Sequence, residues 1–108
     1  MPKTEYLQGA LDLLILQTLL VAPNHGWGIR QRIRQVSCET LGVSQGSLYP
    51  ALHRLEAAGL LSSEMTPSEN NRRARVYTLT AAGRKRLMSE ADDWRKFALA
   101  IQQVLETS

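Results

Sequence analysis

Cysteine is almost absent from this chain. A single residue, Cys38, excludes an internal disulfide and makes a reducing compartment the natural setting. Two histidines, His25 and His53, do not combine with it into metal-ligand spacing, so no metal is expected. No Gly-rich phosphate loop, no carboxylate pair beside an acid–base partner and no nucleophile–base spacing is present, and Asp92-Asp93 reads as a solvated helix face. Catalytic residues and a cofactor are therefore not expected, which excludes the enzyme class. No apolar run is long enough for a bilayer: the one from Leu7 to Ala22 is interrupted by Asp12 and Gln17. The same interruption, with no clear cleavage site after it, argues against a signal peptide, and the expected location is cytoplasmic.

What is present fits one compact domain with a modest core: 108 residues, 44% of them hydrophobic. The formal charge of +3 says little, but its distribution says more. From His25 to Arg86 ten Lys/Arg face four Asp/Glu, a net +6, while the segments before and after carry −1 and −2. Such a basic middle is expected of a segment facing phosphate, and a merely solvated basic face gives the same count.

Apolar periodicity predicts a first helix from Leu7 to Ala22, with Leu7, Leu11, Leu14, Ile15 and Thr18 on one face and Leu13, Leu16, Leu20 and Val21 over much of the rest. A helix apolar nearly all round needs more than one partner. Pro23-Asn24-His25-Gly26 breaks it, and a second helix runs to Val36 with Ile29, Ile33 and Val36 inward and Arg30, Arg32 and Arg34 outward. Gly42 marks the following turn. A third helix from Ser44 to Ala58 carries Leu48, Leu52 and Leu55 on one stripe. Pro50, tolerated only in a first turn, argues for a cap near Gly46 or Ser47, or else an irregular turn leading in from Ser44; Gly59 closes the helix. Leu60–Met65 and Arg75–Leu79 read as strands around a polar loop, and Thr80 caps a last helix that ends near Glu106. In that helix Leu87, Ala91, Trp94, Ala98, Ile101 and Leu105 repeat at spacings of four and three, a heptad pattern widened by Phe97 and Val104. The seam either folds back over the first helix of its own chain or packs on a second chain.

The predicted fold class is mainly α with a small two-stranded β wing: a winged helix-turn-helix over residues 1–80 and a C-terminal dimerisation helix over 81–108, packing with the N-terminal helix. Its third helix is suited to a major groove and its basic loop to the adjacent backbone.

The segment Gly46-Ser47-Leu48-Tyr49-Pro50-Ala51-Leu52-His53-Arg54-Leu55-Glu56-Ala57-Ala58-Gly59-Leu60-Leu61 resembles the signature of the PadR family of transcriptional regulators. Arg75 to Gly83, His25-Gly26-Trp27-Gly28-Ile29 and Leu11 to Leu16 match it as well, so the resemblance covers roughly residues 7 to 106, with Trp27 where Tyr is commoner and Leu61 where Ile is commoner. The short tail resembles the subgroup with a single C-terminal helix. The resemblance implies a homodimeric regulator, usually a repressor, on a pseudo-palindromic double-stranded DNA operator, in some members relieved by small aromatic or hydrophobic effectors. By position it implies Tyr49 on a phosphate, Gln45 and Ser47 at the groove-facing end of the helix, and Arg72, Arg73 and Arg75 at the wing. His53 and Arg54 belong to the same candidate set, although either can bridge to Glu56 or face solvent, and Ser47 can instead cap its helix. Tyr77 reads as wing packing. The expected dimer interface is Leu11, Leu14, Leu87, Ala91, Trp94, Ala98, Ile101 and Leu105, and the expected effector pocket Leu14, Trp94 and Ala98. Trp94 either lines that pocket or packs the dimer core. The alternative function is a winged-helix protein-interaction module without specific DNA binding.

Overall fold

The computed structural model describes residues 3–67 and 73–107. Its elements run α1 (Lys3–Val21), β1 (Asn24–His25), α2 (Gly26–Val36), α3 (Gln45–Ala57), β2 (Leu61–Pro67), β3 (Arg73–Leu79) and α4 (Ala81–Glu106). Leu11, Ile15, Leu16 and Leu19 of α1, Ile29 and Ile33 of α2, and Leu48, Ala51, Leu52 and Leu55 of α3 close one core, capped by Leu60, Leu61, Tyr77 and Leu87. Each of the fully buried residues Ile15, Leu16, Ile29, Leu48 and Leu52 is worth roughly 1.5–3 kcal/mol against exposure.

The helix boundaries follow from local chemistry. Thr80 caps α4 as its sequence position predicted: its Oγ1 accepts from the Gly83 N–H at 3.0 Å. The same hydroxyl donates to the Gly59 carbonyl at 2.7 Å, and the Thr80 N–H donates to the Leu60 carbonyl at 3.2 Å, so the end of α3 is stitched to the start of α4. The helix α4 therefore begins inside the head, with Gly83 and Leu87 both buried. Its 26 residues span about 39 Å, which accounts for the 59 Å long axis of the molecule.

Three features differ from the sequence reading. The α3 cap is neither Gly46 nor Ser47 but Ser44, whose Oγ accepts from the Ser47 N–H at 3.2 Å, so the helix is regular from Gln45 and Pro50 stands in its second turn. Pro50 has no N–H to give the Gly46 carbonyl, a loss the flanking packing of Leu48, Ala51 and Leu52 outweighs. The sheet has three strands in the order β1-β3-β2, because Asn24 and His25 pair with Tyr77 and Val76. The wing strands are also longer than read, with the register Leu61↔Leu79 continuing to Pro67↔Arg73.

Both α2 and α3 end in the same motif, a left-handed residue with paired 6→1 and 5→2 hydrogen bonds. At α3 the left-handed residue is Gly59 (φ 78°), as expected, with Leu60 N–H on Leu55 O and Gly59 N–H on Glu56 O. At α2 it is Cys38 (φ 52°), followed by Glu39 (φ 64°), with Glu39 N–H on Arg34 O and Cys38 N–H on Gln35 O. The turn is then held by the Arg30 guanidinium, whose Nε donates to the Val43 carbonyl at 2.8 Å.

Candidate nucleic-acid interface

At 100° per residue, the buried residues Leu48, Ala51, Leu52 and Leu55 turn Gly46, Pro50, His53 and Ala57 of α3 outward, and all four are exposed. Gln45 and Tyr49 stand exposed on one shoulder of that face, Ser47 and Arg54 on the other. Ser47 lines a groove of about 280 Å³ with Ala10, Leu11 and Leu14, which fixes its shoulder as the one turned to α1. Its hydroxyl accepts from Ser44 Oγ at 3.1 Å.

Tyr49 is placed by a missing side chain. A Cβ on Gly26, the first residue of α2, would lie 2.9 Å from the Tyr49 hydroxyl and 3.0 Å from its Cε1, so the ring rests directly on that glycine. The N-terminus of α2 beneath it is capped by His25, whose Nδ1 accepts from the Gly28 N–H at 3.0 Å. His25 also stacks on the exposed Trp27, ring centroids 6.2 Å apart.

Both shoulders of α3 are tied to the rest of the head. Toward the wing, Arg75 Nη1 donates to Ser63 Oγ at 2.9 Å, and Ser63 Oγ donates to Glu56 Oε2. Toward α1, the Arg54 guanidinium pairs with the Asp12 carboxylate. Arg54, a candidate for DNA contact, pairs instead inside the subunit, and among the described residues Glu56 is bonded to Ser63 on the wing side rather than bridged to Arg54. Arg73 and Arg75 project from the side of β3 that also carries Tyr77. Tyr77 faces the core, 3% exposed, which is the packing role read from the sequence. Burial, aided by the Glu56 charge, raises its phenol pKa. Arg72 lies outside the described residues.

The apolar stripe of α4 divides. Leu87 is 3% exposed inside its own subunit, and Leu11 of α1 is 5% exposed in the same core, so both are spent before any partner arrives. Beyond them the stripe runs out into solvent: Trp94 is 43%, Ile101 41% and Leu105 79% exposed. Among the described residues, Trp94 packs on Phe97, centroids 5.9 Å apart. Leu14 lines two grooves beside α1, the second of about 400 Å³ with Thr18, Val21, Ile33, Val36 and Leu41. Neither of these two grooves includes Trp94 or Ala98.

The sequence reading did not single out Asp12, Ser44, Glu56 or Ser63 as site residues. Asp12 carried a signal, a lone charge within an apolar helix; Ser63 carried none, since its partners Glu56 and Arg75 are fixed only by the fold.

Three helices, a hairpin packed against the third, and a trailing helix define a winged-helix transcriptional regulator. The sequence matches the transcriptional regulator PadR-like family over residues 15–89, and the chain belongs to that family. It is 41% identical over 86 residues to the transcriptional regulator Rv3488 of Mycobacterium tuberculosis, covering 80% of this chain and 77% of that protein. It is 46% identical over 80 residues, 74% of this chain, to an uncharacterized 37.1 kDa protein in transposon TN4556 of Streptomyces fradiae, and it spans 21% of that protein's length. A transcriptional regulator from Clostridium thermocellum has the same fold, with a TM-score of 0.83 at 26% identity over 92% of this chain and 96% of that one. So does a PadR-like transcription factor from Bacteroides fragilis, with 0.77 at 27% identity over 94% and 96%. Among the described residues no helix is long and apolar enough to cross a membrane.

Proposed function

We propose that the protein is a sequence-selective, duplex-DNA-binding repressor that acts as a homodimer on a pseudo-palindromic operator. The observation that carries this reading is the exposed outward face of α3, where Gly46, Pro50, His53 and Ala57 make no side-chain hydrogen bond among the described residues, with Arg75 of the wing tied beside it through Ser63 and Glu56. In this reading Gln45 and Ser47 meet base edges, while Tyr49, His53, Arg72, Arg73 and Arg75 lie against phosphates. A second copy covers Ala91, Trp94, Ala98, Ile101 and Leu105 of α4 together with Leu14. Trp94, brought to the dimer centre, offers a flat aromatic or hydrophobic effector a stacking surface that could relieve repression.

The test is binding to the duplex upstream of the protein's own coding sequence. Complex formation should be salt-sensitive and should exceed that on a shuffled duplex. Arg73→Ala should weaken binding to both duplexes alike and lower the salt slope by about 1. Gln45→Ala should change the preference between them. No complex at low salt would leave the protein-interaction module as the better reading. Ile101→Glu should give a folded monomer by sedimentation, and a dimer unaffected by it would move the interface elsewhere.

A further inference from the structure

We propose that Asp12 is a positioning residue for DNA binding: by holding the Arg54 guanidinium it fixes how α3 is rolled against α1. This role rests on the DNA-binding reading above. The Asp12–Arg54 pair joins residues 42 apart in sequence and is the ion pair between α1 and α3 among the described residues. The Asp12 side chain is 25% exposed, more enclosed than any other acid in such a pair among the described residues. Arg86 and Glu90 of α4, themselves paired at 3.3 Å, stand near enough for both charges to act on it. Charges from α1, α3 and α4 thus meet behind the shoulder of the recognition helix that carries Ser47.

The surroundings of Asp12 oppose its ionised form. Burial raises the Asp12 pKa above the ordinary aspartate value of 3.8, Glu90 adds to the rise, and the attraction and hydrogen bond of Arg54, with a smaller pull from Arg86, do not cancel it. Between the unfolded and the raised folded value the folded state binds the extra proton, so stability falls as pH rises through that window and the ionised form is a net cost at neutrality. A charge kept at a cost, and paired across two helices, acts through orientation. A 53%-exposed Arg54 would otherwise swing freely on a long side chain.

The test uses the full-length protein, a duplex that the wild type selects from a randomised pool, and a shuffled duplex of the same composition. Removing a negative charge close to a polyanion strengthens binding by electrostatics alone. Asp12→Ala should nevertheless bind the selected duplex about tenfold more weakly, because the binding-competent roll of α3 is then only about a tenth populated, with a melting temperature no lower than wild type. The exchanged pair Asp12→Arg with Arg54→Asp should recover most of the discrimination. Tighter binding of the selected duplex by Asp12→Ala would overturn the proposal and leave Arg54 as a direct phosphate contact, as would an exchanged pair that binds no better than Arg54→Ala. Equal losses on both duplexes with a lowered melting temperature would reduce Asp12 to a structural role. A wild type that selects no duplex would refute the DNA-binding reading itself, and this role with it.

Discussion

Replacing Gly83 with alanine tests the junction on which the head closes. A Cβ at that position would stand 2.1 Å from the Leu60 carbonyl oxygen, 3.0 Å from its carbon and 2.7 Å from Leu79 Cδ1. The leucine methyl can turn away, but the carbonyl is backbone and already accepts from the Thr80 N–H. Relief therefore requires α4 to lift from the base of β2, which strains the Thr80 cap and loosens Leu87 in the core. Overpacking of this kind costs up to about 3 kcal/mol, and the better helix propensity of alanine returns at most ~1 kcal/mol. The net loss of about 2 kcal/mol corresponds to a fall in Tm of roughly 10 °C, read by circular dichroism or calorimetry. The control is Gly46→Ala, where the nearest atom is Ser44 Oγ at 3.9 Å and stability should hold or rise. A Gly83→Ala protein melting with the wild type would refute the close approach and the account of how α4 is seated.

Gly26→Ala should leave the Tm nearly unchanged, since the exposed Tyr49 ring can swing aside, while binding to a selected duplex falls about fivefold through one displaced hydroxyl; unchanged affinity would remove Tyr49 from the phosphate set. Cys38→Gly should raise stability by about 1 kcal/mol, because a left-handed backbone favours glycine, and an unaltered or lower Tm would show that the turn carries no such cost. Asp12→Asn mimics the protonated acid, so its Tm advantage over wild type should shrink as pH is lowered through the raised Asp12 value and stay constant near neutrality. An advantage that grows with acidity would reverse the sign assigned to that group.

The long, strongly patterned elements were legible in the sequence. Ile29 and Ile33, Leu48, Leu52 and Leu55, and the Thr80 cap each carry their own spacing or side-chain chemistry, and all fall where that chemistry placed them. The strand β1 was not legible, because two residues have no period and Asn24-His25 becomes a strand only against the register of β3. Pro67 and Arg73-Ala74 read as loop for the related reason that pairing, not composition, makes them strand. Pro50 misled through a rule about helix interiors that local packing overrides. In the candidate site, exposure of Gln45, Ser47, Tyr49 and His53 followed from helical phase. The fate of Arg54 did not, since its partner lies on α1. The heptad of α4 showed the stripe but not its division at Leu87, which depends on where the subunit's own core ends.

That division separates two kinds of evolutionary constraint. Substitutions at Leu87 or earlier are judged by whether the head folds. After it, the fold of one subunit makes almost no demand on which apolar residue stands at Trp94, Phe97, Ile101 or Leu105. Only whatever covers them does. If a second copy covers them, as proposed, sequence drift along the end of α4 can change which copies recognise one another while the head stays intact. On that proposed interface, duplicated regulators of this architecture would have in that short stretch a route to stop mixing subunits, and so to acquire separate targets, without first risking the loss of a folded protein.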